Sequence, residues 1–205
     1  MSIVNVRPRA DQELARATTH RKLLTAAIAL AGGGRIPSIA ELAAATGVSR
    51  ATAYRYFNSR SDLVKAIMTE SLGPMRLFEP TAKDGEARIR ELFAGTFPRF
   101  KEFEPQMRAA LQLSMEHAAL ARAGALTEPP YRRGFRREIL GRAAAPLQEK
   151  LSPTAFKRLL LALSIIYGIE AYVVLKDIWD ADDATVESTA RWMVDALLKA
   201  VDQPE

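Results

Sequence analysis

The chain has 205 residues, 48% hydrophobic and 26% charged, a balance that excludes a disordered polymer and allows either one large core or a small and a larger one. It contains no cysteine, which excludes disulfides and thiolate chemistry and agrees with a cytoplasmic location. Residues 1–72 hold 10 Lys/Arg against 5 Asp/Glu while residues 73–205 hold 19 of each, so the whole net charge of +5 sits in the first third; that is the footprint of a small basic module joined to a neutral one, or of a merely solvated basic face, and spacing has to separate the two.

The N-terminal stretch "MSIVNVRPRADQELARATTHRKLL" carries charges and no apolar core segment, so no signal peptide is expected. The first helical pattern is "RKLLTAAIALA", with Leu24, Ala27, Ile28 and Ala31 at helical spacing, and "GGGRIP" stops it. A second helix starts at "SIAE", a capping box with Ser38 as N-cap and Glu41 at its third position, and carries Leu42 and Ala43 on its inner face. "TGVS" closes it: Gly47 permits a left-handed turn, Val48 buries, and Ser49 caps a third helix that runs to about Phe57. In that helix Ala53, Tyr56 and Phe57 fall toward the core, which leaves Arg50, Ala51, Thr52, Tyr54 and Arg55 wholly or partly to solvent.

A short helix with arginines, tyrosines and small methyl-bearing residues on its free face suits the major groove of double-stranded DNA. Arg bonds guanine in bidentate fashion, an Ala or Thr methyl meets the thymine methyl, and Tyr hydroxyls together with Arg60 of the next helix can hold phosphates. The candidate DNA contacts are Ser38, Ser49, Arg50, Ala51, Thr52, Tyr54, Arg55, Tyr56 and Arg60.

Along these residues the sequence resembles the TetR family of bacterial transcriptional repressors. Ala26 and Ala27, Leu42 and Ala43, Gly47 to Ser49, "TAYRYF" from 52 to 57, Arg60 and Leu63 follow the order of that family's N-terminal signature. The pattern departs in three places: the family often has an aromatic near Ala31, a bulkier aliphatic at Ala53 and Lys at Arg60. The expected fold is all-α, with a three-helix helix-turn-helix DNA-binding domain over residues 1–72 and a helical bundle over residues 73–205. The resemblance implies that the bundle binds a small effector and forms a homodimer, and that a palindromic operator is released when the effector binds. No cofactor and no metal are expected.

Beyond residue 73 the segments 84–102, 105–124, 131–150, 153–178 and 183–201 read as helices, separated by "GP", "EP", "TEPP", "LSP" and "DADD". The apolar run at 159–175 contains Glu170 and reads as a buried helix instead of a membrane span. Ser164, Gly168 and Ala171 make a stripe of small residues, and Val186, Ala190, Met193 and Leu197 an apolar one; these are the candidate dimer interface, with the protomer's own core as the rival use. For an apolar effector the candidate lining is Phe97, Met107, Leu111, Met115, His117, Tyr167 and Glu170. The plainer readings are a structural ion pair for Glu170 and a satisfied, partly buried histidine for His117. The run "RRGFRRE" at 132–138 reads as a solvated face.

An enzyme is the rival class. With only His20 and His117, no phosphate-binding glycine loop and no nucleophile elbow, the chain offers no catalytic constellation, so no enzymatic activity is expected. A helical protein-binding adaptor, the third possibility, has no need of an arginine-bearing helix after a tight turn.

Overall fold

The computed structural model describes residues 7–201, with side chains from residue 11, and every regular element among them is helical. α1 spans Arg7–Ala31, α2 Ile39–Thr46, α3 Arg50–Tyr56, α4 Arg60–Arg76 and α5 Gly85–Thr96. α6 spans Glu104–Arg122, α7 Phe135–Ala144, α8 Pro153–Ile166, α9 Ile169–Trp179 and α10 Asp183–Val201, with 3₁₀ turns at Phe97–Phe103 and Ala145–Leu147. The chain divides into two compact units, Met1–Ser71 with Ala109–Tyr131, and Leu72–Arg108 with Arg132–Glu205. A cut of the sequence at 72/73 does not anticipate that residues 109–131 pack with the first unit.

The first unit is built on a cluster in which Leu23 and Ala27 of α1, Ile39, Leu42 and Ala43 of α2, Ala53 of α3, Leu63 and Ile67 of α4, and Ala109, Ala110 and Leu113 of α6 are all buried. Except for α3, which supplies Ala53 alone, each helix supplies these residues within three- or four-residue steps and so turns one stripe inward. α1 starts far ahead of the apolar pattern at 21–31, because residues 11–18 are exposed on every side and leave no stripe to read. α4 runs through "GP" to Arg76; Pro74 removes a single helical hydrogen bond, and the last turn persists through the Leu77 N–H to Gly73 carbonyl bond and the burial of Met75.

The second unit centres on aromatic rings. Phe97 lies 5.9 Å from Phe93, 5.3 Å from Phe100 and 5.4 Å from Tyr172, and Tyr167 packs edge-on against Phe93 and Phe100. The Tyr167 and Thr96 hydroxyls meet at 2.7 Å, and burial pushes the Tyr167 phenol up to about 12.

The segment 153–178 is two helices, not one. The break at Tyr167–Gly168 frees the Ser164 carbonyl, which a continuous helix would have bonded to the Gly168 N–H, and Arg136 donates to it at 2.6 Å. The same guanidinium reaches Glu170 at 2.6 Å, and Arg133 reaches the other carboxylate oxygen at 2.7 Å. Burial raises the Glu170 carboxyl, but Arg136 outweighs it and leaves the group below its ordinary value. A Cβ at Gly168 would sit 2.5 Å from the Arg136 guanidinium, so glycine stands there for close approach. No single described helix is long and apolar enough to cross a membrane.

Candidate nucleic-acid interface

The second and third helices are held by local caps. Ser38 Oγ accepts the Glu41 N–H at 3.1 Å, and the Glu41 carboxylate accepts the Ser38 N–H at 2.7 Å while Arg35 clamps it from outside. Gly47 ends α2 at φ 69° in the left-handed region, where a Cβ would be strained. The chain reverses and Ser49 caps α3, its Oγ accepting the Thr52 N–H at 3.1 Å and sharing a 2.9 Å bond with the Thr52 hydroxyl. The turn is therefore set by residues three apart in sequence, before any distant packing.

The Arg35 hydrogen bond, assisted by those from Ser38, holds the Glu41 carboxyl down at about 2. A depressed carboxylate contributes stability that is complete above its unfolded value near 4.5 and is lost as pH falls through about 2. Glu41→Gln is accordingly expected to flatten the acid limb of the stability profile between these values, with little change at neutral pH in the slope of stability against pH. Circular dichroism melts from pH 2 to pH 7 check this; an acid limb identical to that of the unsubstituted protein would remove Glu41 as its source.

Ala53 is fully buried, which fixes the rotation of α3 and turns Arg50, Ala51, Tyr54 and Arg55 outward. Tyr54 is 49% exposed, and among the described residues neither Arg50 nor Arg55 makes an ion pair. Thr52 is half-buried, with its hydroxyl already bonded to Ser49. Tyr56 leans toward α1: its hydroxyl donates to the Arg16 carbonyl at 3.3 Å and its ring lies 6.0 Å from His20. Beside α3 an open groove of about 610 Å³ is lined by Gln12, Glu13, Arg16 and Thr19 of α1 and by Arg55 and Tyr56. The α1 side of that groove is not marked in the sequence, because an isolated Arg16 in a polar helical turn carries no signal that separates it from an ordinary solvated cation.

Arg60 differs from the arginines of α3. It donates to Glu116 at 2.6 Å and to Glu128 at 3.1 Å through its side chain, and to Glu128 at 2.8 Å through its backbone N–H. Its guanidinium, expected to be free for a phosphate, is spoken for within the protein.

The candidate effector residues are divided between the two units. Phe97, Met107, Tyr167 and Glu170 belong to the second unit, and Leu111, Met115 and His117 to the first. Phe97 and Tyr167 are packed among rings, and the cavity beside Phe97 and Ala190 holds about 50 Å³, far below the roughly 300 Å³ at which small-molecule pockets begin. Met115 is exposed, Glu170 is ion-paired, and His117 is bonded at both ring nitrogens.

The dimer stripes also need correction. Gly168, Val186 and Ala190 are buried in the protomer. The inward face of α10 is Val186, Ala190, Val194 and Leu198, a four-residue register that leaves Met193 exposed and Leu197 half-buried. Ser164 and Ala171 are half-buried, one on each side of the break. The large apolar side chains left outside on these helices are Leu161 and Ile165 of α8, Val174, Ile178 and Trp179 of α9, and Trp192 and Met193 of α10.

Two short helices joined by a glycine turn, the second with a cationic free face, within an all-helical chain, define a helix-turn-helix regulator architecture. Residues 23–67 match the model of the bacterial regulatory proteins, tetR family, so the helix-turn-helix segment is of the TetR type. It is 29% identical over 109 residues to the HTH-type transcriptional repressor LfrR of Mycolicibacterium smegmatis, a match over 49% of this chain and 58% of that protein's length. Among solved structures it resembles a TetR transcriptional regulator from Rhodococcus sp. RHA1, at TM-score 0.56 and 22% identity over 91% of this chain and 98% of that one. A TetR-family regulator from Mesorhizobium loti gives TM-score 0.57 and 18% identity over 90% and 96% of the two chains. At these identities the structural likeness speaks for the fold.

Proposed function

We propose that the protein is a transcriptional repressor that binds a palindromic operator as a homodimer, with α3 of each protomer in the major groove. The observation that carries this is the free face of α3: Arg50, Ala51, Tyr54 and Arg55 point outward from a helix whose rotation is fixed by buried Ala53. Cations with no partner among the described residues, next to small apolar groups, match base edges and phosphates together. LfrR is named a transcriptional repressor, which supports repression over activation. Selection of bound duplexes from a random pool tests the function, and the symmetry of the recovered sites tests the dimer. A pool that shows no enrichment, with no salt-dependent binding, would sink the reading.

Arg50 opens α3 and is the foremost candidate for a base contact. Arg50→Ala is expected to cost about 1–3 kcal/mol in operator affinity and to relax preference at one base pair in each half-site. Equal weakening on all sequences would make Arg50 a phosphate contact.

The dimer is assigned to the outer faces of α8, α9 and α10, where Leu161 and Ile165 form one four-residue step and Val174 and Ile178 another. Apolar side chains aligned in this way on adjacent helices suit a partner's helices. Control by a small apolar effector is the finest part of the proposal and rests on the family. Such a ligand has to displace packed rings around Phe97 and Tyr167, and it must bind the DNA-incompetent form better, by about 1.4 kcal/mol for tenfold release. Reciprocal titration checks it, because operator must weaken the effector by the factor by which the effector weakens operator.

A further inference from the structure

The cluster at the head of α4 has no part in the DNA contacts assigned above. Arg60 is the first residue of α4, and its backbone N–H is one of the four at that end that no helical carbonyl can accept. Glu128 Oε2 takes this N–H at 2.8 Å, and Glu128 Oε1 takes the Arg60 Nε–H at 3.1 Å. Glu116 completes the arrangement by accepting from the outer guanidinium nitrogen at 2.6 Å.

Glu128 is itself held in place. Its Oε1 lies 3.2 Å from His117 Nε2, while His117 Nδ1 accepts the Tyr131 N–H at 3.1 Å. With Nδ1 accepting, Nε2 is the ring nitrogen that donates to the carboxylate. Ser61 Oγ closes the same segment onto α4 by donating to the Pro129 carbonyl at 2.6 Å. Burial works against the Glu128 charge, yet the Arg60 bonds hold its carboxyl below the ordinary value.

A helix-end amide beside a guanidinium is the donor set that binds a phosphate oxygen. One anion can occupy it at a time. Building on the DNA-binding reading, we propose that Glu128 and Glu116 act as an internal substitute for a DNA backbone phosphate at the head of α4, so that they weaken DNA binding by competing for Arg60. With both carboxylates in place the three side chains sum to one negative charge, which repels the DNA backbone where a free Arg60 would attract it.

The test measures binding to random-sequence duplex DNA across a salt series. The Glu116→Gln/Glu128→Gln protein keeps an amide oxygen for the Arg60 N–H and leaves Arg60 as the one charge among the three side chains. It is expected to bind at least about tenfold tighter at low salt than the unsubstituted protein, and its salt slope should steepen by about 2 for a dimer, near 0.9 for each phosphate gained. Arg60→Ala should leave the slope nearly unchanged in the unsubstituted protein and abolish the gain in the double variant. Equal or weaker binding by the double variant overturns the proposal, as does a slope that falls by about 2 on Arg60→Ala alone. Should the double variant fail to fold, Glu116→Gln carries the test, since Glu116 is 43% exposed and among the described residues its bonds are to Arg60; a smaller tightening supports the proposal, and the absence of any tightening overturns it. Binding by the unsubstituted protein with no effect of the variants ends this inference only, whereas no binding by any of them ends the DNA-binding reading as well.

Discussion

On the proposed homodimeric reading, an Ile165→Asp protein is expected to sediment as a monomer and to bind operator DNA on the order of 10²- to 10⁴-fold more weakly than the unsubstituted protein. Ile165 is 70% exposed on α8, so the substitution removes no core contact and should change the stability of the protomer by no more than about 0.5 kcal/mol. In an assembled dimer the same position would be covered, and an unpaired carboxylate there would oppose its own symmetry mate across a two-fold axis. The loss in DNA affinity follows from geometry. Once one α3 is docked, a linked second α3 is presented at high effective concentration, and a monomer forfeits that advantage with every DNA contact intact. Sedimentation and operator titration are both needed. A protein that stays dimeric would move the interface away from α8, and a monomer with undiminished affinity would show that one protomer is enough. Gly168→Arg, suggested by the small-residue stripe alone, is a poor substitute, because it would strike Arg136 and Glu170 inside the protomer.

The largest stability loss is expected at Phe97. It is 2% exposed and touches the rings of Phe93, Phe100 and Tyr172. Phe97→Ala removes the transfer free energy of a benzyl group and leaves a cavity that rigid neighbouring rings fill poorly, a loss of about 3–5 kcal/mol. For a chain of this size that lowers the melting midpoint by roughly 10 °C. The hole would be apolar and closed to water, so a small aromatic such as benzene should bind it and restore part of the midpoint. Calorimetry with and without benzene is the measurement. A loss below about 1 kcal/mol would mean that the ring cluster collapses around the gap, and such a deformable cluster would favour an effector site in the second unit.

Part of this protein was legible because it is written locally. The capping box of Ser38 and Glu41, the left-handed turn at Gly47 and the Ser49 cap each bond residues three apart, so spacing alone determines them. The outward face of α3 follows from the same helical period once Ala53 is taken as the inner residue. The all-helical class of the rest was legible too, since stripes separated by Pro, Gly and capping residues need no knowledge of what they pack against.

What depends on partners distant in sequence was decided only by tertiary structure. Glu128 lies 68 residues from Arg60, and nothing in either neighbourhood says that the carboxylate will take the head of α4. Gly168 reads equally well as a contact point for a second helix or as room for the Arg136 guanidinium, and the fold chose the latter. On α10, Val186 and Ala190 can continue inward to Met193 and Leu197 or to Val194 and Leu198, because steps of three and of four both stay on one helix face; the fold chose the step of four. Local hydrogen bonds and helical period are properties of a short stretch of chain, and the sequence determines them by itself. The direction in which a stripe is covered, and the charge that meets a charge, depend on which surfaces the folded chain brings together, and that is settled by packing.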